Sequence, residues 1–281
     1  MPDRSSRMHS TSTISLIGGS AEYERRWRPM TNNIENRAPY QGLMQIFRYN
    51  QPFYVRTFGA VAVAILLSMW LPSALRTSLL LACGIAVFWS CSSLLVSHYV
   101  YDRSPLYGLQ WLNGLLPRPP ARWINIHAGL DETSDSISSI FPGSQGLTVD
   151  IYDPREMTEP SIGQARRLTQ APSPGADWRA LPAADHDFDA AFLIFAAHEL
   201  RHHEARVKLF EEVARVLRPT GEVVLVEHLR DWSNFAAFGP GFLHFFSGST
   251  WQNAADAAHL SIRQRRTVTP FVHVFVLAKS L

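Results

Sequence analysis

Hydrophobic residues form two long runs near the front of the chain. No charged residue occurs from Thr57 to Leu71 or from Thr77 to Tyr101, and Pro72 and Arg76 lie between the runs. A bilayer core of roughly 30 Å needs about 20 apolar helical residues, which the second run supplies and the first reaches if residues 52–56 are included. The pattern predicts a transmembrane helical hairpin over residues 53–101. The alternative is a buried helical pair packed on a soluble domain.

The residues on either side of the hairpin are mostly polar. Residues 1–52 are rich in Ser, Thr, Asn and Arg without a sustained apolar period, which predicts a flexible N-terminal arm. Seven arginines precede the hairpin, so the arm is expected to stay in the cytoplasm, and two crossings would return the rest of the chain to that side. The turn-rich residues 102–120 are predicted to form a linker.

Short apolar runs alternate with helical patterns in residues 121–281. Asp131, Thr133 and Ser134 are suitable caps for a helix after the first run. Strands are predicted at 123–127, 147–149, 188–197, 221–226 and 271–277, and helices at 137–141, 161–168 and 204–217. This alternation indicates the α/β class, with a mainly parallel sheet covered by helices on both faces.

Composition removes two classes of function. The 26 basic and 24 acidic residues leave a formal net charge of +2, which is too small to indicate nucleic acid as the main partner. Cys83 and Cys91 are the two cysteines, and a helix would hold them about 12 Å apart. That spacing excludes a disulfide framework or a zinc knuckle.

Four polar clusters follow the predicted strands, at residues 127–131, 150–153, 198–201 and 227–231. In open sheets of this kind, ligands bind outside the carboxyl ends of the strands. The clusters hold most of the polar chemistry of the domain, so they are the candidate site.

Residues 121–281 resemble the class I S-adenosylmethionine-dependent methyltransferases. Residues 216–224, Val-Leu-Arg-Pro-Thr-Gly-Glu-Val-Val, are similar to the helix–turn–strand of that family, and residues 124–131 correspond to its first strand and glycine loop. Gly129 alone remains of the loop glycines, because His127 and Asp131 stand at the other two positions and Asn125 replaces the usual acid. The resemblance implies a Rossmann-like domain that binds S-adenosylmethionine, which has no phosphate and therefore tolerates a relaxed loop.

The resemblance also implies the cofactor-binding residues. Asp150 stands 21 residues after Gly129, where related nucleotide binders place an acid for the ribose hydroxyls. Asp177 would face the adenine amine, and Tyr152 or Trp178 would lie against the ring. The predicted set is Asn125, His127, Gly129, Asp131, Asp150, Tyr152, Asp177 and Trp178.

The acceptor side would be formed by the clusters after the later strands. His198 and His228 are the candidate catalytic residues, either of which could serve as a base for an acceptor that must lose a proton. Arg201 and Arg230 could each hold a carboxylate through a bidentate pair of hydrogen bonds. The aromatic segment, Phe235–Phe246, carries five phenylalanines and is expected to cover the pocket. The predicted substrate-binding residues are Glu199, Arg201, Glu227, Arg230 and His244.

One motif has a competing interpretation. Residues 198–202 match H-E-x-x-H, which on a helix places two imidazoles around a zinc ion, and Glu227 or His228 could supply a third ligand. The motif directly follows a predicted strand, however, and no apolar helix surrounds it. We therefore predict no metal, and a zinc protease is the least favoured alternative.

The hairpin, the two arginines and the phenylalanines together favour an amphiphilic substrate. The combination resembles the membrane-associated methyltransferases that make methyl esters of hydroxy fatty acids as bacterial quorum-sensing signals. That resemblance implies carboxyl methylation at the inner membrane, with the catalytic domain facing the cytoplasm. Quinone-ring and phospholipid methylation remain alternatives, as does a membrane-tethered interaction module whose cofactor site is degenerate. The expected partners are a lipid bilayer and a lipophilic small molecule, and the sequence leaves the oligomeric state open.

Overall fold

The computed structural model describes residues 38–168 and 173–280. The predicted arm therefore lies largely outside the described residues. Eight α-helices and six strands are described. The helices are α1 (Gln41–Tyr49), α2 (Gln51–Ser68), α3 (Ser73–His98), α4 (Ser134–Ile140), α5 (Pro160–Leu168), α6 (His203–Val216), α7 (Trp232–Phe238) and α8 (Gly248–Ala257). The strands are β1 (Arg122–His127), β2 (Gln145–Asp150), β3 (Phe188–Ile194), β4 (Leu217–His228), β5 (Leu260–Thr269) and β6 (Val272–Lys279).

The six strands form one sheet in the order β2-β1-β3-β4-β6-β5. The first four run parallel, whereas β6 is antiparallel to both of its neighbours. The predicted α/β class and mainly parallel sheet are confirmed. β5 was not predicted, because it is an edge strand in which Arg263, Arg265, Arg266 and other polar residues interrupt the apolar alternation.

The sheet has an apolar core on each face. Helices α5, α6 and α8 cover one face, where Ile126, Leu193 and Leu225 are buried. The other face is covered by α4 and by residues that precede the sheet, including Leu106 and Leu112. Strand residues alternate between these cores, so neighbouring polar residues at the strand ends also point to opposite faces.

Residues 102–120 differ from the predicted linker. Four leucines of this stretch, Leu106, Leu109, Leu112 and Leu115, are at most 6% exposed and pack against the sheet. Turn residues between them bend the chain, which is why the sequence suggested a loop. The stretch is a structural layer of the domain that contains the sheet.

Helix α1 corrects part of the predicted flexible arm. The Asp102 carboxylate accepts hydrogen bonds from the backbone N–H groups of Gly42 (2.6 Å) and Leu43 (3.0 Å), which satisfies the start of the helix. The body of α1 packs against α5 and α3. Because its anchor is 60 residues away in sequence, the helix was not evident from the local pattern.

Helices α2 and α3 are joined by a short turn and pack against each other. Both are long and apolar enough to cross a membrane, and only 11% of the residues in each apolar window are buried. That exposure argues against a helical pair belonging to a soluble core. Their lengths are about 27 and 39 Å at 1.5 Å per residue. A π-helical turn, Tyr99–Arg103, continues α3 directly into the layer that covers the sheet.

The hairpin contacts the domain that contains the sheet through the aromatic segment. The Trp89 ring of α3 meets Phe235 of α7 edge to face, with 5.6 Å between ring centroids. Gly239 lies under the same indole, and a β-carbon there would come within 2.4 Å of it. A glycine is therefore required where the segment passes the hairpin.

Candidate active site

The loop after β1 forms the first wall of the candidate cofactor site. Gly129 has a φ of 106°, which favours glycine. Asn125 is buried and its amide nitrogen donates to Asp131, Thr133 and Ser134. The Asp131 carboxylate accepts from the backbone N–H groups of Thr133 and Ser134, so this residue closes the loop. Asn125 and Asp131 thus stabilise the conformation of this loop through internal hydrogen bonds.

Two buried polar atoms near this wall have no hydrogen-bond partner. They are Nε2 of His127 and Oδ1 of Asn125. Burial lowers the pKa of His127, so its ring is neutral at pH 7. Unsatisfied buried polar atoms cost free energy, and a polar ligand that forms hydrogen bonds to them would remove that cost.

Asp150 ends β2 directly beside His127 of β1. One carboxylate oxygen accepts from the Tyr152 backbone N–H (3.0 Å), and the other accepts from the Arg166 guanidinium (2.5 Å). The guanidinium carbon lies 4.2 Å from the centre of the Tyr152 ring, and the Arg166 side chain also covers Gly129. Arg166 therefore fills the space between three residues predicted to hold the cofactor.

Arg166 makes contacts of the kind expected from a nucleoside. Its N–H groups donate to Asp150 as ribose hydroxyls would, and its flat group stacks on Tyr152 as a base would. These residues fit a ligand that combines hydrogen-bond donors with a planar ring, provided that Arg166 moves aside. The sequence did not single out Arg166, because it occupies an ordinary helical position.

The predicted adenine side is only partly assembled. Gly175 forms a parallel bridge with Asp150, which brings the following residues to the same edge of the sheet. Trp178 is 4% exposed, and the Arg179 guanidinium lies 3.7 Å from the centre of its ring. Asp177 remains largely exposed, and its carboxylate accepts from the backbone N–H of Arg179.

His198 is the centre of a buried ionic cluster at the ends of β3 and β4. Its Nδ1 lies 2.7 Å from a Glu227 oxygen, and its Nε2 lies 3.4 Å from a Glu199 oxygen. Burial opposes the charged imidazole, but the two carboxylates outweigh it and raise the pKa of His198 to about 10. The histidine is therefore a cation held between two anions at neutral pH.

This cluster should make stability depend on alkaline pH. The raised pKa of His198 contributes stability that is fully present below the ordinary value of 6.5 and is lost as the pH rises toward about 10. We expect Tm to fall between pH 7 and pH 10, and Glu227→Gln to flatten this part of the profile. Thermal melts across that range provide the measurement.

Glu211→Gln is the matched control for this prediction. Glu211 is an exposed acid of α6 whose carboxylate lies 3.3 Å from the Lys208 ammonium nitrogen. The control should retain the alkaline loss of stability. An equal slope in the Glu227 variant and the native protein would contradict the assignment of the loss to His198.

His228 occupies a separate, aromatic environment. Its Nδ1–H donates to the Phe271 carbonyl (2.8 Å), so Nε2 accepts from the Tyr101 hydroxyl (2.8 Å). The ring is stacked between Phe195 and Phe245, at 5.1 and 4.8 Å. Burial lowers the pKa of His228 to about 4, so it is neutral. Tyr101 was predicted only as the end of the hairpin, and its contact with His228 was not foreseen.

The two predicted arginines have different surroundings. Nη1 of Arg201 donates to the carbonyls of His198 and His244, while its Nε and Nη2 atoms make no hydrogen bond to the described residues. Nε and Nη2 of Arg230 donate to the carbonyls of Phe245 and Leu243. The paired donors are thus free on Arg201, whereas on Arg230 they already hold the aromatic segment.

His244 joins the His198 cluster from the aromatic segment. The two rings meet edge to face at 5.3 Å, and Nδ1 of His244 lies 3.3 Å from a Glu159 oxygen. Burial, reinforced by the positive charge of His198, lowers the pKa of His244 to about 4. The structure therefore brings together His198, Glu199, Arg201, Glu227 and His244, and adds Glu159, which no sequence motif indicates.

The H-E-x-x-H segment does not form a helical zinc motif. Residues 197–199 form a 3₁₀ turn, and α6 begins only at His203. The His198 side chain is 14% exposed and pairs with Glu227, whereas His202 is exposed. Within 38–168 and 173–280, no group of three His, Cys, Asp or Glu residues is arranged to hold a metal ion.

A family model described as a methyltransferase domain matches residues 155–225. A search of curated proteins gives no match.

Several solved structures share the fold. Human N-acetylserotonin methyltransferase in complex with S-adenosylmethionine is 12% identical, with a TM-score of 0.53 over 87% of this chain and 72% of that one. The pyocyanin biosynthetic protein PhzM is 17% identical, with a TM-score of 0.50 over 86% of this chain and 77% of that one. The mitomycin 7-O-methyltransferase MmcR is 12% identical, with a TM-score of 0.50 over 88% and 74% of the two chains. The chain therefore shares the class I, Rossmann-like fold of these methyltransferases, and the match over residues 155–225 favours the same family.

Proposed function

We propose that this chain is a membrane-anchored, S-adenosylmethionine-dependent methyltransferase that esterifies the carboxyl group of a fatty acid or hydroxy fatty acid. The methyl ester would be a signal molecule, and the enzyme would lie in a bacterial inner membrane with its catalytic domain in the cytoplasm. The methyltransferase domain and the two apolar helices support the coarse assignment. The finer assignment rests on the chemistry of the acceptor side.

S-adenosylmethionine, when bound, supplies an electrophilic methyl group. His127, Gly129, Asp150 and Tyr152 are the residues that would hold it, with Arg166 displaced from Asp150. The carboxylate of Asp150 would accept hydrogen bonds from the ribose, and the Tyr152 ring would support the flat base. Trp178 lies behind this wall, with Arg179 rather than open space on its ring.

The observation that carries the proposal is that each of the three histidines on the acceptor side, His198, His228 and His244, already has a hydrogen-bond or ion-pair partner. At pH 7 a group with a pKa of about 10 is deprotonated in roughly one molecule in a thousand, so His198 is a poor proton acceptor. His228 already accepts the Tyr101 hydroxyl, and a pKa of about 4 makes His244 a weak base. A carboxylate acceptor is ionised at neutral pH and needs no base.

Arg201 suits an anionic acceptor. Its free Nε and Nη2 atoms form the side of the guanidinium that binds carboxylates in a bidentate manner. The charges of His198, Glu199 and Glu227 leave that cluster with one net negative charge, which Arg201 balances. An acid held by Arg201 would be oriented beside the strand ends, and orientation alone supplies about 7 to 11 kcal/mol of the barrier in favourable cases.

The apolar surroundings favour a long-chain acid. The aromatic segment lies between the hairpin and the His198 cluster, with Trp89 against Phe235 at one end and His244 against His198 at the other. An acyl chain can pack along these rings while its carboxylate reaches Arg201. Holding the enzyme on the bilayer would raise the local concentration of such an amphiphile.

A second candidate is methylation of a ring hydroxyl, as in quinone-type substrates. The short contact between His198 Nδ1 and Glu227 orients the imidazole as a general base. Its Nε2 would become a proton acceptor if Glu199 moved away. The ring-hydroxyl alternative predicts that Glu227→Gln abolishes activity. A carboxylate acceptor needs no base, so the variant should keep activity as far as its side chain still positions His198.

The test uses purified protein in detergent, S-adenosylmethionine carrying a labelled methyl group, and a bacterial lipid extract. We expect a labelled product that partitions into organic solvent and loses its label in mild base, as an ester does. Label that survives mild base would contradict carboxyl methylation and favour the ring hydroxyl. The Asp150→Ala variant is the control, and at an S-adenosylmethionine concentration near the Kd of the native protein it should transfer far less label to the same extract.

A further inference from the structure

Trp232, at the start of α7, is more exposed than any other large apolar side chain that the structure describes. It is 84% exposed, compared with 76% for Trp70 in the turn of the hairpin. Leu243, in the aromatic segment, is 56% exposed. Large apolar side chains of a soluble domain are seldom left in water to this extent, and a pair beside one segment marks a contact surface.

The position of these residues points to the bilayer as the partner. Phe235 meets both Trp232 (5.8 Å) and Trp89 of the hairpin (5.6 Å), so Trp232 lies close to α3. The Tyr54 hydroxyl is 3.0 Å from Ser93 Oγ, which pairs the start of α2 with residue 93 of α3. Trp89 lies one helical turn before Ser93, toward the turn of the hairpin, where α3 still runs beside α2. The aromatic segment therefore meets the hairpin at the edge of its apolar zone.

Ring contacts connect this surface to the candidate active site. Phe235 contacts Phe242 at 5.1 Å, and Phe238 contacts Phe245 at 5.5 Å. Phe245 lies against His244, which lies against His198. The rings thus form a nearly continuous apolar wall from Trp232 to the His198 cluster.

We propose that Trp232 and Leu243 insert into the bilayer beside the hairpin, and that acyl chains pass from the lipid phase along the aromatic segment to the His198 cluster. The second half of this inference rests on the proposed function. Indole rings favour the membrane interface, which suits a tryptophan at the edge of the apolar zone. The exposed apolar side chains of α3 include Ile85 and Phe88, the second of which is next to Trp89, and this neighbourhood favours lipid over a second copy of the chain.

Depth in the membrane can be measured without turnover. Trp232→Cys, in a chain with Cys83→Ala and Cys91→Ala, is labelled with an environment-sensitive fluorophore and placed in phosphatidylcholine and phosphatidylglycerol vesicles. Thr220→Cys is the control, because Thr220 is exposed near the start of β4 while Trp232 follows the end of that strand. We expect a blue-shifted emission, quenched by nitroxide lipids, at position 232 only.

Two outcomes of this measurement overturn the inference. A label at position 232 that emits and is quenched like the control would show that the surface faces water. Shielding that depends on protein concentration rather than on lipid would assign the surface to a second copy of the chain.

Kinetics test the path of the acyl chain. Trp232→Ser should raise KM several-fold for a long-chain acid in vesicles, leaving kcat unchanged and the turnover of a dissolved short-chain acid unaffected. Lipid insertion with an unchanged KM would overturn the proposed path. Insertion without any ester formation would instead contradict the proposed function and leave the bilayer contact standing.

Discussion

A chain that begins at Ala121 should fail to fold, although the sequence pattern alone marks this residue as the start of a complete domain. The truncation removes five apolar side chains, each at most 6% exposed, that cover one face of the sheet: Val100, Leu106, Leu109, Leu112 and Leu115. Burying one such side chain stabilises by about 1.5 to 3 kcal/mol. The loss of about 10 kcal/mol matches the whole stability of an ordinary domain, which is about 5 to 15 kcal/mol.

The comparison is a chain that begins at Ser97, which keeps the covering layer and discards most of the hairpin. Far-ultraviolet circular dichroism and thermal melts of both truncated chains in detergent provide the measurement. The longer chain should melt cooperatively and the shorter one should not. A cooperative transition in the chain that begins at Ala121 would contradict the structural role assigned to residues 99–115.

Asp150→Ala should weaken S-adenosylmethionine binding by about 10- to 150-fold. A hydrogen bond to a charged group contributes about 1.5 to 3 kcal/mol, which corresponds to that range. Thermal stability should change little, because the Arg166 side chain is 31% exposed and can turn to water once its partner is gone. Isothermal titration of the native protein and the variant measures the effect.

Arg166→Ala should act in the opposite direction. Removing the guanidinium frees Asp150, Tyr152 and Gly129, so binding should become roughly two- to fivefold tighter, as expected for a part-exposed ion pair of up to about 1 kcal/mol. Arg167→Ala is the matched control, since that side chain bonds only to Gln164 in the same helix. Weaker binding in the Arg166 variant would show that this arginine holds the cofactor instead of competing with it. No binding in any of these proteins would favour the interaction module.

The fold was predictable where the signal is local. Strands such as β1 and β3 are buried on both faces and appear as short apolar runs, and α6 repeats at helical spacing. The signal failed for β5, whose arginines face water, and for residues 102–120, whose leucines are separated by turn residues. In both cases burial depends on partners far away in sequence.

The candidate site shows the same limit. The rule that strand ends meet at one edge was enough to place His198 beside Glu227 and His127 beside Asp150. This rule could not predict the contacts that determine the hydrogen bonding and protonation of the site residues. Arg166 on Asp150 and Tyr101 on His228 depend on the packing of α5 and on the end of the hairpin, and neither has a motif.

Helix α3 continues through the π-helical turn into the layer that covers the sheet, so the hairpin and the sheet are joined rigidly. Under the proposed function, no flexible linker would separate the membrane anchor from the active site, so the site would be held at a fixed height and tilt above the lipid. Its encounters with an acid dissolved in the membrane would then be confined to two dimensions. The rate should therefore follow the mole fraction of acid within the leaflet and be insensitive to how much aqueous volume surrounds the membrane.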